Sequence, residues 1–235
     1  EIGPGVGSLT LALADTGASV VAVEVDDVLV EVLAEVMADF GADRDIRIVH
    51  ADAMEVDWGS VLADGPSDGR WTLVANLPYN VSVPLVCDLL DDVPAISKMV
   101  VMVQKEVAER LVASPGDDAY GLPSVKVAYH AVGRMVGRVP PSVFLPRPNV
   151  DSALVELVRH ERPAVEVDPE RLFALVRAGF GQRRKMLRRS LAGLVDEAAI
   201  VDADVDPTAR AEELGLDQWA ALASVSPVPG PGPTS

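Results

Sequence analysis

The sequence predicts an α/β fold: an open sheet of mostly parallel strands with helices on both faces and an antiparallel edge, followed by a small all-α domain. Three observations predict it. Short β-branched runs alternate with segments of helical spacing over the first 112 residues, the pattern of strand and crossover-helix units. Two further β-rich runs, 124–131 and 152–158, have no helical segment between them, which suggests antiparallel pairing at one edge. After Arg162-Pro163 the β runs stop.

Taken in order, Leu9, Ala12 and Leu13 share a helical face over 8–16, and 18–24 is a β-branched strand. Helical spacing returns at 27–40, where Leu29, Val32, Leu33, Val36 and Phe40 form the apolar face and Asp26 or Asp27 supplies the cap. Strands are expected at 46–50, 71–75 and 98–103, with helices at 84–90 and 105–112. The connection 139–148 holds four prolines, so it reads as a stiff surface loop, neither helix nor ladder. Helices are then expected at 168–180, 183–195, 207–214 and 217–223. The chain therefore divides into an α/β domain (1–162), a helical domain (163–226) and a Pro/Gly tail (227–235) that cannot pack.

With 49% apolar residues the 235-residue chain can bury a core, and no run approaches the about 18 apolar residues of a membrane span. The opening Glu1-Ile2-Gly3 has neither the basic head nor the apolar run of a signal peptide. The single Cys87 cannot make an internal disulfide and sits in an apolar run, so a packed thiol in a reducing, cytoplasmic setting is expected. His50, His130 and His160 lack ligand-like spacing, and no metal site is expected.

A net charge of −16 argues against a polyanionic partner only until its distribution is read. Residues 1–76 carry fifteen acids and three basic residues, a balance of −12. Residues 171–189 carry seven basic residues and no acid, and 119–150 carry four and none. Such asymmetry fits an electrostatic footprint for a polyanion; a solvated basic helix face is the alternative.

The opening "EIGPGVGSLT" places Gly3, Gly5 and Gly7 ahead of a helix, which lets a ligand approach backbone closely. Its register is not the dinucleotide fingerprint, because the third glycine position falls on Ser8. A structural turn and a nucleotide-type cofactor loop both remain open. Glu24 ends the expected strand at 18–24, where an acid can accept from ribose hydroxyls or simply precede a helix. Asp52-Ala53 follows the expected strand at 46–50, where a carboxylate can accept from an adenine amine and a small neighbour leaves room for the ring. Together the three strand-end signals outweigh each alone.

"NLPYN" ends the strand at 71–75. An exocyclic adenine amine is a poor nucleophile because its lone pair is delocalised. Acceptors aimed at its N–H bonds, here the Asn76 side-chain carbonyl and the Leu77 backbone carbonyl, favour a pyramidal nitrogen and stabilise the cation formed on methylation. Pro78 fixes the turn, and Tyr79 offers a face on which a base can stack, worth about 1–3 kcal/mol. A capped turn with a core tyrosine is the bland alternative.

"EIGPGVGSLT", "VEVD", "ADAM", "NLPYNVSVPL", "QKEVAERL", "FLPRPNVDSALV" and "FGQRRKMLRRSL" together resemble the KsgA family of S-adenosylmethionine-dependent small-subunit ribosomal RNA adenine N6-dimethyltransferases. The resemblance runs from Glu1 to about Leu222. It implies a Rossmann-like methyltransferase sheet and methylation of two adjacent adenosines in a hairpin near the 3′ end of 16S ribosomal RNA, with a role in small-subunit biogenesis. Glu1, Gly3, Gly5, Gly7, Glu24, Asp52, Ala53 and Asn76 would hold S-adenosylmethionine. Asn76, Leu77, Pro78 and Tyr79 would hold the target adenine, with Phe144 on its other face. Arg147, Arg183, Arg184, Lys185, Arg188 and Arg189 would grip RNA phosphates beside the cleft. The implied partner is small-subunit ribosomal RNA or the pre-30S particle, met by a monomeric chain with no membrane and no metal.

Family members normally carry some forty to fifty residues before the glycine run, including the start of a central strand, and the expectation is that this chain is N-terminally incomplete. Three rivals carry different expectations: a large-subunit ribosomal RNA adenine dimethyltransferase of the antibiotic-resistance type, a non-catalytic ribosome-assembly factor, and a nicotinamide-dependent oxidoreductase. The "NLPYN" spelling and "QRRK" favour the small-subunit enzyme over the first. Intact Asn76, Pro78 and Tyr79 speak against the second, and the missing third glycine against the last.

Overall fold

In the computed structural model, which describes residues 1–40, 44–66, 69–145 and 147–225, strands and helices alternate as the periodicity predicts. Helix α1 (Ser8–Ala14) leads to β1 (Val20–Glu24), α2 (Asp27–Phe40), β2 (Ile46–His50), the short α3 (Trp58–Val61) and β3 (Trp71–Asn76). There follow α4 (Ser82–Asp92), β4 (Ile96–Gln104), α5 (Lys105–Val112), α6 (Leu122–His130), β5 (Ala131–Val139) and β6 (Ser152–Arg159). The last elements are α7 (Pro169–Gly181), α8 (Leu187–Ser190), α9 (Glu197–Asp202) and α10 (Leu216–Val225). The expected tail at 227–235 lies outside the described residues.

Among the described residues the strands form two sheets. β1 and β2 pair in parallel from Val20–Ile46 to Glu24–His50. The other sheet has the order β3-β4-β6-β5, with β3 parallel and β6 antiparallel to β4, so the antiparallel edge is present. Ile2 makes a single parallel bridge to Val23 of β1. Across from it, β1 and β3 border a groove of about 530 Å³ lined by Val20, Val21, Trp71 and Leu73.

Alternation along the strands separates two faces of the larger sheet. Leu73, Ala75, Met99, Val101, Val155 and Leu157 are buried, and α4, with Leu85, Val86, Leu89 and Leu90 buried, packs on β4. The opposite face is more open: Thr72, Asn76 and Val158 are exposed, and Glu156 bonds Lys98 (2.8 Å) and Arg134 (2.7 Å) there. Helix α2 starts where a carboxylate was expected to cap it. Asp26 accepts from the backbone N–H groups of Val28 (2.9 Å) and Leu29 (3.0 Å). Leu33 and Met37 bury against Ala22, whereas Phe40, placed on the same face by spacing, is the last helical residue and is exposed.

The chain clusters into two compact units, one formed by residues 1–108 with 134–159 and the other by 109–133 with 160–235. Arg159 staples the first. Its guanidinium donates to the carbonyls of Leu90 (2.8 Å), Leu89 (3.0 Å) and Val93 (3.3 Å) at the end of α4, and to Ile96 (2.9 Å) at the start of β4. A cation there complements the helix-end carbonyls, of which Leu89 O also accepts from Val93 N (3.2 Å) and Val93 O from Ile96 N (3.1 Å). Arg159→Ala is expected to cost about 2–3 kcal/mol, because several part-buried acceptors lose a charged donor. A fall in Tm of roughly 5–10 °C, read by thermal denaturation, would match that loss.

The second unit buries Trp219, Leu172, Leu175, Val176, Leu187 and Leu191 around Tyr120, whose hydroxyl donates to Leu214 O at 2.8 Å. Burial pushes the Tyr120 phenol up to about 12.

Three local expectations are corrected here. Residues 124–131, read as a strand from the alternation Val125, Val127, Tyr129, form helix α6 through His130. Gly121 caps it, Pro123 suits its first turn, and the Ser124 hydroxyl accepts from Gly121 N (3.1 Å) and donates to Arg110 O (2.6 Å). Val125 and Tyr129, four apart, bury on one helical face in the core of the second unit. The strand is instead β5, immediately after.

The helix expected at 183–195 contracts to α8, because Leu187 N and Arg188 N donate to Ala209 O (2.8 Å) and Pro207 O (3.1 Å) and Met186 is extended against Arg210. The helix expected at 207–214 is only a 3₁₀ turn, Ala211–Glu213; Asp206 captures the N–H of Thr208 at 2.8 Å in a local turn. In the proline-rich connection, Val139 ends β5 and Pro141–Val143 form a 3₁₀ turn.

Candidate active site

The chemistry-bearing residues of the first compact unit gather at the carboxyl ends of the parallel strands β1, β2 and β3, the edge where open α/β sheets hold ligands. Gly3, Gly5 and Gly7 all have positive φ, at 67°, 57° and 90°, conformations that glycine adopts without strain. At Gly7 a Cβ would lie 2.7 Å from Leu33 Cδ1 and Met37 Cε, so the ends of those two core side chains would have to move. At Gly5 a Cβ would meet nothing within 4 Å, so the loop's backbone is open to a ligand there.

Glu24 ties this loop to β1. It is buried, and its carboxylate accepts from Gly5 N (3.2 Å) through Oε2 and from Val25 N (2.9 Å) and Asp26 N (3.1 Å) through Oε1. A carboxylate has about four lone-pair directions, so three backbone donors leave one for a hydroxyl. Ala51 N donates to Glu24 O at 2.9 Å, which brings the Asp52-Ala53 turn beside it. Asp52 Oδ1 accepts from Met54 N at 2.8 Å, and the side chain is exposed. Glu1 accepts from the fully buried Thr10 hydroxyl at 2.6 Å. Burial pushes the Glu1 carboxyl up, and the Thr10 hydrogen bond opposes that shift.

The loop abuts the next turn, since a Cβ on Gly3 would lie 3.8 Å from Pro78 Cδ. That turn is held from below by Leu77, whose side chain is buried and whose N–H donates to Met102 O at 3.1 Å. Val81 N donates to Pro78 O and the Ser82 hydroxyl to Tyr79 O, each at 3.3 Å. Asn76 ends β3 with its side chain exposed, and no hydrogen bond to its amide forms among the described residues. Asn76, Leu77, Pro78, Tyr79, Phe144 and Pro148 line one cleft of about 280 Å³. Two aromatic rings and a set of backbone and amide acceptors thus share one opening.

Arg147 is exposed in the same proline-rich segment as Phe144. Arg183, Arg184, Lys185, Arg188 and Arg189 belong to the second compact unit and are all exposed. Arg183 is engaged by Glu212 (2.6 Å) and Asp118 O (2.7 Å), and Arg188 by Glu197 at 3.5 Å. The side chains of Arg184, Lys185 and Arg189 form no ion pair or hydrogen bond among the described residues.

Sequence reasoning did not single out Thr10 or Ser152. Both lie inside quoted stretches, "GSLT" and "VDSALV", where a hydroxyl among apolar neighbours was the available signal. Among the described residues no cluster of three metal-ligating side chains forms, and no helix is long and apolar enough to cross a membrane.

Residues 1–226 match the family described as ribosomal RNA adenine dimethylase. A ribosomal RNA small subunit methyltransferase A from Bifidobacterium adolescentis is 45% identical over 235 residues, covering 95% of this chain and 77% of the relative. The protein of that name from Streptomyces coelicolor is 47% identical over 231 residues, 95% of this chain and 79% of the relative. Among solved structures, a dimethyladenosine transferase from Plasmodium falciparum superposes with a TM-score of 0.76 at 23% identity, over 94% of this chain and 86% of that one, and so shares the fold. The 23S rRNA methyltransferase ErmE superposes with a TM-score of 0.66 at 26% identity, over 95% of this chain and 88% of that one.

Proposed function

The chain belongs to the ribosomal RNA adenine dimethylase family, and from that premise we infer that it methylates N6 of adenosine in small-subunit (16S) ribosomal RNA to give N6,N6-dimethyladenosine. The observation that carries the reading is the cleft where Asn76, Leu77, Pro78 and Tyr79 face Phe144. The small subunit is favoured over the large because relatives named for it are 45–47% identical, against 26% for ErmE. Two adjacent adenosines near the RNA's 3′ end, a pre-30S particle as the form recognised, action as a monomer and a cytoplasmic location are the finer parts of the proposal.

S-adenosylmethionine fits the first set of residues and, when bound, supplies an electrophilic methyl group on a sulfonium sulfur. Glu1, Gly3, Gly5 and Gly7 would shape its loop, Glu24 would use its remaining lone pair on the ribose, and Asp52 would accept from its adenine beside Ala53. Asn76 would border both cofactor and substrate.

The chain's own groups then act on the target amine. The Asn76 carbonyl and the Leu77 backbone carbonyl accept its two N–H bonds, which draws the lone pair out of conjugation. As positive charge grows on nitrogen, the same dipoles stabilise it without reorganising. No strong base is required, because the proton becomes acidic only once the methyl group is in place. Tyr79 and Phe144 hold the base flat and keep water from its faces. For the second transfer the amine retains one N–H and turns within the cleft.

We assign phosphate contacts to Arg147, Arg183, Arg184, Lys185, Arg188 and Arg189, with catalysis before the sequence division at residue 162 and most of the phosphate contacts after it. The subunit assignment is tested by offering unmethylated small and large ribosomal subunits together with labelled S-adenosylmethionine. Label is expected in the small-subunit RNA; label confined to the large-subunit RNA would overturn the assignment in favour of the resistance-type reaction.

A further inference from the structure

Ser152 is fully buried at the first position of β6, and its hydroxyl lies 2.9 Å from the Tyr79 hydroxyl, 73 residues away in sequence. It is fixed from two directions. In the antiparallel ladder it pairs with Gln104, the last residue of β4, and its neighbour Asp151 accepts from Lys105 N at 2.9 Å. Strand alternation sets Ser152 on the sheet face that carries Asn76, because Asn76 pairs with Met102, and Met102 with Leu154. The proline-rich segment bearing Phe144 ends at Pro148, four positions before this residue.

We propose that Ser152 is a positioning residue that anchors the long axis of the Tyr79 ring where it can stack on the target adenine. By tying the turn after β3 to the strand that follows Phe144, it also sets the spacing of the two aromatic walls. The proposal rests on the reading of the cleft given above. Its physical basis is that a tyrosine ring has one soft rotation about Cβ–Cγ and one about Cα–Cβ. Packing of the half-buried Tyr79 restrains these incompletely; because the hydroxyl oxygen lies on the Cβ–Cγ axis, a hydrogen bond from a rigid strand fixes the swing about Cα–Cβ, and so where the ring stands in the cleft, and restrains the turn about Cβ–Cγ only weakly. The step most sensitive to such a restraint is the second methylation, in which a bulkier, monomethylated amine must turn beneath the ring.

The experiment measures single-turnover and steady-state methylation of small-subunit RNA, with mono- and dimethyladenosine resolved by mass spectrometry, for Ser152→Ala, Ser152→Thr, Tyr79→Phe, the double variant Ser152→Ala/Tyr79→Phe, and Tyr79→Ala. Ser152→Ala and Tyr79→Phe remove the same hydrogen bond from opposite ends. Each is expected to lower kcat about five-fold, the typical worth of one such bond. KM for RNA should stay within two-fold and monomethyladenosine should accumulate. The double variant should be no worse than either single change, and Ser152→Thr should restore the wild-type product ratio.

Wild-type rates and product ratios in both single variants, or a double variant whose losses multiply, would overturn the proposal. If Ser152→Ala fails to fold in thermal melts, Tyr79→Phe alone decides between those outcomes. Tyr79→Ala separates the two levels: normal dimethylation there removes the reading of the cleft itself, whereas inactivity there with unaffected Ser152→Ala and Tyr79→Phe removes only the role of Ser152.

Discussion

Replacement of Asn76 by alanine is expected to lower methyl transfer by about 10²–10³-fold while RNA affinity stays within two-fold. The size follows from removing one preorganised dipole aimed at developing charge, a loss of about 3–4 kcal/mol in transition-state stabilisation. The selectivity follows from the way the turn is held. Leu77 N–H is committed to Met102 O and Val81 N–H to Pro78 O, so the backbone through the turn does not depend on the Asn76 side chain. Asn76 ends β3 exposed, and no described group bonds its amide. Alanine therefore removes an acceptor and leaves the proposed stacking surfaces of Tyr79 and Phe144 in place. Rapid-quench methylation alongside filter binding measures both quantities. A near-normal rate would remove Asn76 from the chemistry, and a matching collapse of affinity would make it a binding residue.

Charge reversal of Arg184, Lys185 and Arg189 together is the second large effect. These three are exposed and form no ion pair among the described residues, whereas Arg183 and Arg188 are partly neutralised by Glu212 and Glu197. A polyanion gains most from cations not already paired within the protein. Losing three phosphate contacts should flatten the slope of log K against log salt by about 2, at about 0.7 per contact for single-stranded RNA. Affinity should fall by at least an order of magnitude at low salt, with the rate on saturating RNA little changed. Reversing Arg183 instead should weaken the ion pair to Glu212 and the bond to Asp118 O, and show more in thermal stability than in the salt slope. Unchanged binding in the triple variant would leave the basic stretch as a solvated surface.

Much of the first compact unit was legible because local and global preferences agree there. Strands β1, β2, β3 and β4 are β-branched and bounded by turn residues, and Asp26 announces α2. The placement of Gly3, Gly5, Gly7, Glu24, Asp52 and Asn76 at successive loop and strand ends follows from that same order. Residues 124–131 were misread because Val125, Val127 and Tyr129 alternate as a strand would, while the core of the second unit rewards the four-residue spacing of Val125 and Tyr129. β5 was passed over because Gly133 and Gly137 interrupt its run and its exposed positions, Val132, Arg134, Val136 and Arg138, mix apolar with charged side chains. The stretch after Gly181 has helical composition, but its N–H groups find carbonyls at Pro207 and Ala209, partners that no local pattern announces. Ser152 escaped for the same reason: its meaning lies in a hydroxyl 73 residues distant.

The most direct test of the central claim is the identity of the product. Small ribosomal subunits lacking adenine methylation are incubated with the purified chain and S-adenosylmethionine carrying a labelled methyl group, and the RNA is digested to nucleosides for mass spectrometry. The account predicts label in N6,N6-dimethyladenosine, reached through N6-monomethyladenosine. Label on any other base, or RNA binding with no labelled adenosine, would contradict it.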